Sequence, residues 1–384
     1  MPFIVAFFIV AIAVMAILYK TYVGYGDYGI GLKTLFLAFL TISMGAPFLS
    51  FAIRNYNPTP WLLYMNKGLY FLFGFVFCLF VITFVRDLFW MLFDFVRKTP
   101  IEQIKNPPYL EVVNLVTIIT TFAICLYGVY EAEKTPQVLS YDIVSPKIKE
   151  KSKVVMMSDL HIDVDVSYKY VKGIVEKVKS LNPDAVVIAG DVIDNSPNAL
   201  AKQMEELKKL GEKAKVYVAL GNHEFYSGAM DWVLAFGFMK FNVVGNYGEK
   251  LGNSGIYIAG IPDLNAAPAG KMRIDIASAL YGATKDDYVI MLSHTPKVAE
   301  GVNKDNVDLI LSGHTHGGQI FPFHFFSKRA NEGRLAGFYD AKGIKMYISR
   351  GTRYWGPPMR IGAPSEITVF NFIPENKNNA DTVK

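Results

Sequence analysis

Four stretches without a charged side chain dominate the first third of this chain: residues 1–19, 34–53, 68–85 and 112–130, with 19, 20, 18 and 19 residues. A helix rises 1.5 Å per residue, so each stretch reaches across the ~30 Å hydrocarbon layer of a bilayer. Lys20, Lys33, Arg54, Lys67, Arg86 and Glu131 stand at their ends, as charges do where a segment leaves lipid. The pattern predicts four spanning helices within residues 1–130. The first run has neither a basic leader nor a small-residue cleavage site and three more follow it, so it reads as a span and not as a removable signal. Residues 86–98 mix Asp87, Asp94, Arg97 and Lys98 with Leu88, Phe89, Trp90, Leu92, Phe93, Phe95 and Val96. They read either as an interfacial helix or as the water-facing end of the third span. The cations flanking the spans divide five to each side, so the charge rule selects neither orientation.

Residues 1–130 carry 13 charged side chains and residues 131–384 carry 60, so the chain is two chemically different pieces. An apolar content of 52% excludes a disordered chain. A net charge of +5 without a long basic block gives no reason to expect a nucleic-acid partner, and nothing points to an obligate protein partner. Cys78 and Cys125 both fall in apolar runs, which leaves neither a disulfide framework nor a thiolate metal site.

After Glu131, residues 131–150 read as a linker with Pro136 and Pro146, residues 151–375 as an α/β domain and residues 376–384 as a polar tail. Strands are expected at 153–158, 184–189, 215–220, 288–293 and 307–312, and helices near 168–180 and 200–210. Each strand runs into a polar cluster: Asp159-Leu160-His161, Gly190-Asp191-Val192-Ile193-Asp194, Gly221-Asn222-His223-Glu224, His294, and Gly313-His314-Thr315-His316. Five of the six histidines lie in these clusters, at the strand ends where loops converge in α/β proteins. Carboxylate, imidazole and amide donors without thiolate suit Mn²⁺, Fe or Zn²⁺, and the imidazoles argue against Ca²⁺. Two divalent ions are expected, with Mn²⁺ first and Fe or Zn²⁺ as alternatives.

The five blocks, D-x-H, G-D-x-x-D, G-N-H-E, an isolated H and G-H-x-H, resemble those of the calcineurin-like metallophosphoesterases over about residues 150–372. SGHTHGGQI at 312–320 and GTRYWGPPMRIGAPSEIT at 351–368 are similar to the bacterial membrane-attached branch, the YkuE and YaeI types. The resemblance implies a two-sheet sandwich flanked by helices. It implies one metal on Asp159, His161, Asp191 and His316, and a second on Asp191, Asn222, His294 and His314, with Asp191 bridging. It leaves His223 for proton transfer to the leaving oxygen, with Asp194 placed to pair with it. The chemistry is coherent, because two close cations acidify water and neutralise charge growing on a phosphoryl group. An uncharged Asn222 donor keeps such a centre electrophilic, and a carboxylate behind an imidazole holds its tautomer.

Gly317, Gly318 and Gln319 read either as phosphate-binding amides or as a turn. Arg353, Trp355 and Arg360 read either as a grip on phosphate or headgroup or as closure of the second sheet. His324 is assigned to an aromatic surface. The resulting expectation is a multi-pass enzyme of the bacterial inner membrane that hydrolyses a phosphoester or pyrophosphate bond. Four helices exceed what a tether needs, and Phe321, Phe323, Phe325, Phe326 and Trp355 add aromatic surface, so a lipid-linked substrate is expected. UDP-2,3-diacylglucosamine of lipid A synthesis leads, with the domain then cytoplasmic. Only 69 residues separate Glu224 from His294, so the helical cap of soluble enzymes of that reaction is not expected. The alternatives are a phosphodiesterase or phosphatase acting on soluble substrates, and a membrane sensor whose metal site does not turn over.

Overall fold

The computed structural model describes residues 2–24, 26–54, 59–98, 110–264 and 272–375; the expected tail at 376–384 lies outside them. Two compact units emerge, Met1–Glu133 with Gly356–Ile361, and Lys134–Trp355 with Gly362–Lys384.

The first unit contains α1 (Pro2–Tyr19), α2 (Ile30–Arg54), α3 (Pro60–Arg97) and α4 (Leu110–Glu133). Among the described residues, four helices are long and apolar enough to cross a membrane. α3 runs unbroken through Arg86 to Arg97, so residues 86–98 continue the third span and do not form a separate interfacial helix. Its 38 residues rise about 57 Å, well beyond one hydrocarbon layer. A set of polar groups inside the bundle pair with one another, as lipid favours. A π-helical turn (Lys20–Gly24) follows α1, Asn114 Nδ2 donates to its Thr21 carbonyl at 2.9 Å, and Arg86 donates to Asn114 Oδ1 at 2.8 Å. Gly74 and Gly128 have no side chain where Met359 and Ile361 pack, and a Cβ at either would crowd them.

The second unit is a sandwich of two six-stranded sheets. Its strands are β1 (Gln137–Ser145), β2 (Ser152–Met157), β3 (Ala185–Ala189), β4 (Lys215–Ala219), β5 (Asn242–Val243), β6 (Tyr247–Lys250), β7 (Ile256–Gly260), β8 (Tyr288–Leu292), β9 (Leu309–Ser312), β10 (Gly337–Ala341), β11 (Ile344–Ile348) and β12 (Glu366–Pro374). The order is β1-β12-β2-β3-β4-β5 in one sheet and β10-β11-β9-β8-β7-β6 in the other. β2, β3, β4 and β5 are parallel, as are β7, β8, β9 and β11, which aims their carboxyl ends the same way within each sheet. Residues 137–145, inside the stretch expected as a linker, form a strand parallel to β12.

Strand alternation distributes the core. Val154 and Met156 face the layer between the sheets with Val187, Ile258, Ile290, Leu311 and Phe370. Val155 and Met157 face the other way, onto helices α5 (Tyr168–Ser180), α6 (Ala201–Leu207), α7 (Asn222–Tyr226) and α8 (Ala229–Phe238). Ser167 caps α5 by accepting from the Lys169 amide, and Val171, Ile174, Val175 and Val178 recur at helical spacing on its buried face. The described residues of the unit also include α9 (Ile276–Ala279) and α10 (Phe323–Ala330). With both faces of its sheets covered, this domain can expose its chemistry only at strand ends.

Candidate metal centre

The loops leaving β2, β3, β4, β8 and β9 carry the five polar clusters to one place. They reach it through backbone that ordinary residues avoid: Asp159, His161, Asp191, His314 and His316 have φ of 53, 42, 52, 72 and 51°. Strained left-handed backbone persists where surroundings enforce it, and it concentrates at functional sites. Here the loops bond one another, with the Asp159 amide on the Gly190 carbonyl at 3.0 Å and the His161 amide on the Asp191 carbonyl at 3.0 Å. Gly221 has no room for a side chain, because a Cβ would overlap the carboxylate and amide of Asp191.

Three groups of donors result, two of them made of expected ligands and the third of His161, Asp194 and His223. Around the first, His316 Nε2 lies 3.4 Å and His161 Nε2 4.0 Å from Asp159 Oδ1, His161 Nε2 lies 3.8 Å from Asp191 Oδ2, and the two imidazole nitrogens are 3.1 Å apart. Around the second, His294 Nε2 lies 3.1 Å from Asp191 Oδ2 and 3.2 Å from His314 Nδ1. His294 donates from Nδ1 to the Ala189 carbonyl at 2.8 Å, which leaves Nε2 as a lone-pair donor. Asp159–His161–His316 and Asp191–His294–His314 each bring donor atoms close enough to hold an ion. Asn222 Oδ1 is buried without a hydrogen-bond partner among the described residues. A buried amide oxygen left bare costs free energy, and a cation is the partner that fits it. The residues present therefore suit divalent metals.

Asp194 sits behind both an expected ligand and the expected acid, its Oδ1 being 2.8 Å from His161 Nδ1 and 2.7 Å from His223 Nδ1. Burial alone would lower the His223 pKa, but Asp191 and then Asp194 oppose it and raise it to about 9. His294 is raised to about 10 against its burial, chiefly by Asp191. His314 is lowered by burial and by the neighbouring His294. Burial works against ionising Asp191, yet His294 and His223 hold its carboxyl well below the usual range.

The remaining expected residues divide. Arg353 is buried, donates to the His161 carbonyl at 3.1 Å and lies over the Tyr354 ring, so it braces the loop behind the donors. Trp355 is half exposed with its ring 5.6 Å from the His223 ring. Arg360 is fully buried in the helical unit, its amide on the Gly128 carbonyl. Gly317 and Gly318 form a turn at φ of 60 and 76°, and the His324 ring makes tilted contacts with those of Phe321 and Phe325. Sequence reasoning missed Glu224. Its buried carboxylate accepts from the amides of Gly221, Asp191, Val192 and Ile193 at 2.7, 3.0, 2.7 and 3.3 Å, locking two ligand loops together. The signal was an acidic residue directly after Gly-Asn-His at a strand end.

Residues 152–318 match the family model described as calcineurin-like phosphoesterase. An uncharacterized metallophosphoesterase of Campylobacter jejuni is 33% identical over 303 residues, 77% of this chain and 78% of the relative. The chain belongs to the calcineurin-like phosphoesterases. A transmembrane protein with metallophosphoesterase domain from Danio rerio is 32% identical, covering 66% of this chain and 61% of its own. The uncharacterized metallophosphoesterase YkuE of Bacillus subtilis is 29% identical over 58% of this chain and 80% of its own. This calcineurin-like phosphoesterase is thus a metal-dependent phosphoester hydrolase, and its four apolar helices make it a membrane protein.

Proposed function

We propose that this phosphoesterase cleaves a phosphoester or pyrophosphate bond of a lipid-linked substrate at a bacterial inner membrane. UDP-2,3-diacylglucosamine, yielding diacylglucosamine 1-phosphate and UMP, is the leading case, with residues 151–375 then on the cytoplasmic face. Residues 1–130 form the anchor. The observation that carries the reading is the pairing, in one chain, of four apolar helices with a hydrolytic domain bearing exposed Phe321, Phe323, Phe325 and Phe326. Aromatic side chains of this kind settle readily at a lipid headgroup region.

Asp159, His161, Asp191 and His316 would hold one ion, and Asp191, Asn222, His294 and His314 the other, with Mn²⁺ proposed first. When bound, the ions acidify water and neutralise the charge that grows on the phosphoryl oxygens. His223 then gives a proton from Nε2 to the departing oxygen, since its Nδ1 is occupied by Asp194. Asp194 keeps that imidazole in the donating tautomer, and Arg353 keeps the His161 loop from shifting. Mass spectrometry of membranes depleted of the protein tests the reading. Accumulation of a lipid-linked phosphate supports it, and an unchanged lipid phosphate profile with accumulating soluble phosphodiesters would replace it with a surface phosphodiesterase.

A further inference from the structure

His223 serves the leaving group, and two aromatic rings stand against its imidazole. Tyr226, on the same short helix, lies 5.4 Å from it between centroids at 60°, and Trp355, from the loop after β11, lies 5.6 Å away at 79°. Neither ring is spent on the core. Tyr226 is 74% exposed and Trp355 47%, whereas Trp232, Tyr217 and Tyr347 are buried. The backbone of Trp355 is clasped at both polar groups, because Gln319 Nε2 donates to the Trp355 carbonyl at 2.9 Å and Gln319 Oε1 accepts from the Trp355 amide at 3.0 Å. Gln319 itself follows the metal-site histidines by three residues, so the clasp ties Trp355 to the centre. Single exposed aromatics are common and mean little. Two of them set around one proton donor mark out a place for a ligand.

We propose that Tyr226 and Trp355 form a leaving-group subsite for a planar π system, a nucleobase or an aryl ring, carried on the oxygen that His223 protonates. The inference rests on the hydrolase reading. Water adds to phosphorus, the bond from phosphorus to the leaving oxygen breaks, the His223 Nε2 proton passes to that oxygen, and the proton lost by water restores the imidazolium. A ring stacked on either side chain stays close to the departing oxygen throughout. A substrate of the proposed kind would then join a planar group and a lipid through phosphate.

The test uses the full chain in detergent micelles with saturating Mn²⁺ and two diesters, dibenzyl phosphate and bis(cyclohexylmethyl) phosphate. Their leaving alcohols match closely in size and acidity and differ in planarity. Trp355→Leu, and Tyr226→Leu measured against Tyr226→Phe to separate the ring from its hydroxyl contact with Asn222, should each lower kcat/KM for the benzyl ester about 2- to 12-fold, with the cyclohexylmethyl ester nearly unaffected. Trp355→Phe should retain most activity, and metal content should not change. Binding gives an independent readout, in which the fluorescence difference between wild type and Trp355→Phe is quenched by AMP or phenyl phosphate but not by ribose 5-phosphate. Stronger quenching by AMP identifies a nucleobase, and stronger quenching by phenyl phosphate an aryl group. Equal losses on both diesters, or equal quenching by AMP and ribose 5-phosphate, would overturn the subsite. If wild type hydrolysed neither diester while AMP still quenched selectively, the hydrolase reading would fail and the subsite would stand.

Discussion

Asp194 Oδ1 lies within hydrogen-bond distance of the Nδ1 atoms of two imidazoles, His161 and His223. Asp194→Asn should weaken metal binding about 10- to 100-fold and slow turnover as well, because the tautomers of His161 and His223 both lose their anchor. His223→Asn should keep the metal and slow only turnover, by ~10²- to 10⁴-fold for poor leaving groups. Metal titration beside steady-state kinetics checks both, and full metal affinity in Asp194→Asn would sink the double role. The pH dependence follows from the same contacts. The His223 pKa is raised from 6.5 to about 9, with Asp191 and Asp194 outweighing burial, so the acid form persists through neutrality and is lost as pH rises through about 9. kcat/KM should therefore fall above about pH 9, and that limb should vanish in His223→Asn. The pairing of His223 with Asp194 was implied by the family resemblance. The bond from Asp194 to His161 was not, because it depends on two loops crossing in left-handed backbone, a tertiary outcome no local pattern encodes.

At the scale of elements, the loops after β3 and β4 are tightened by residues with no expected ligand role. Glu224 gathers four amides from the loops after β3 and β4, and Gly221 leaves the gap that Asp191 fills. Gly221→Ala should displace Asp191, cutting binding of both metals with the secondary structure preserved; circular dichroism beside metal analysis measures this, and unchanged metal stoichiometry would refute it. The strands β2, β3, β4, β8 and β9 lie within one or two residues of the expected positions, because dense apolar runs end abruptly in polar clusters there. β1 escaped notice for a physical reason. It lies at an edge with most of its side chains exposed or half-buried, and although Leu139, Tyr141 and Ile143 alternate with Ser140 and Asp142, the prolines on either side resemble linker punctuation.

For the molecule as a whole, the division into two units sets the fourth prediction. Every expected metal donor belongs to the second unit, so a chain beginning at Lys134 should bind metal and hydrolyse a small soluble phosphodiester about as fast as the full chain. It should lose most activity on a diacylated nucleotide sugar in bilayers, since anchoring confines enzyme and lipid to one thin layer. Equal activity of both chains on the bilayer substrate would count against the lipid reading. Beginning after Ser145 should abolish the fold, because β12 would lose its parallel partner. The bipartite plan was plain from charge distribution alone. The grouping of Gly356–Ile361 with the helices was not, since six residues far along the chain carry no sign of which unit they join.

The place of β12 has a consequence for how this protein is made. It lies between β1 and β2, antiparallel to one and parallel to the other, yet it follows β2 by roughly two hundred residues. At ~5–20 residues per second the ribosome needs about 10 to 40 s to supply it. Through that interval two strand edges stay unpaired beside a membrane into which the four helices have already been threaded. Nascent chains arrested short of Glu366 should therefore be protease-sensitive and chaperone-bound, and release of the last strand should close the first sheet in a single step.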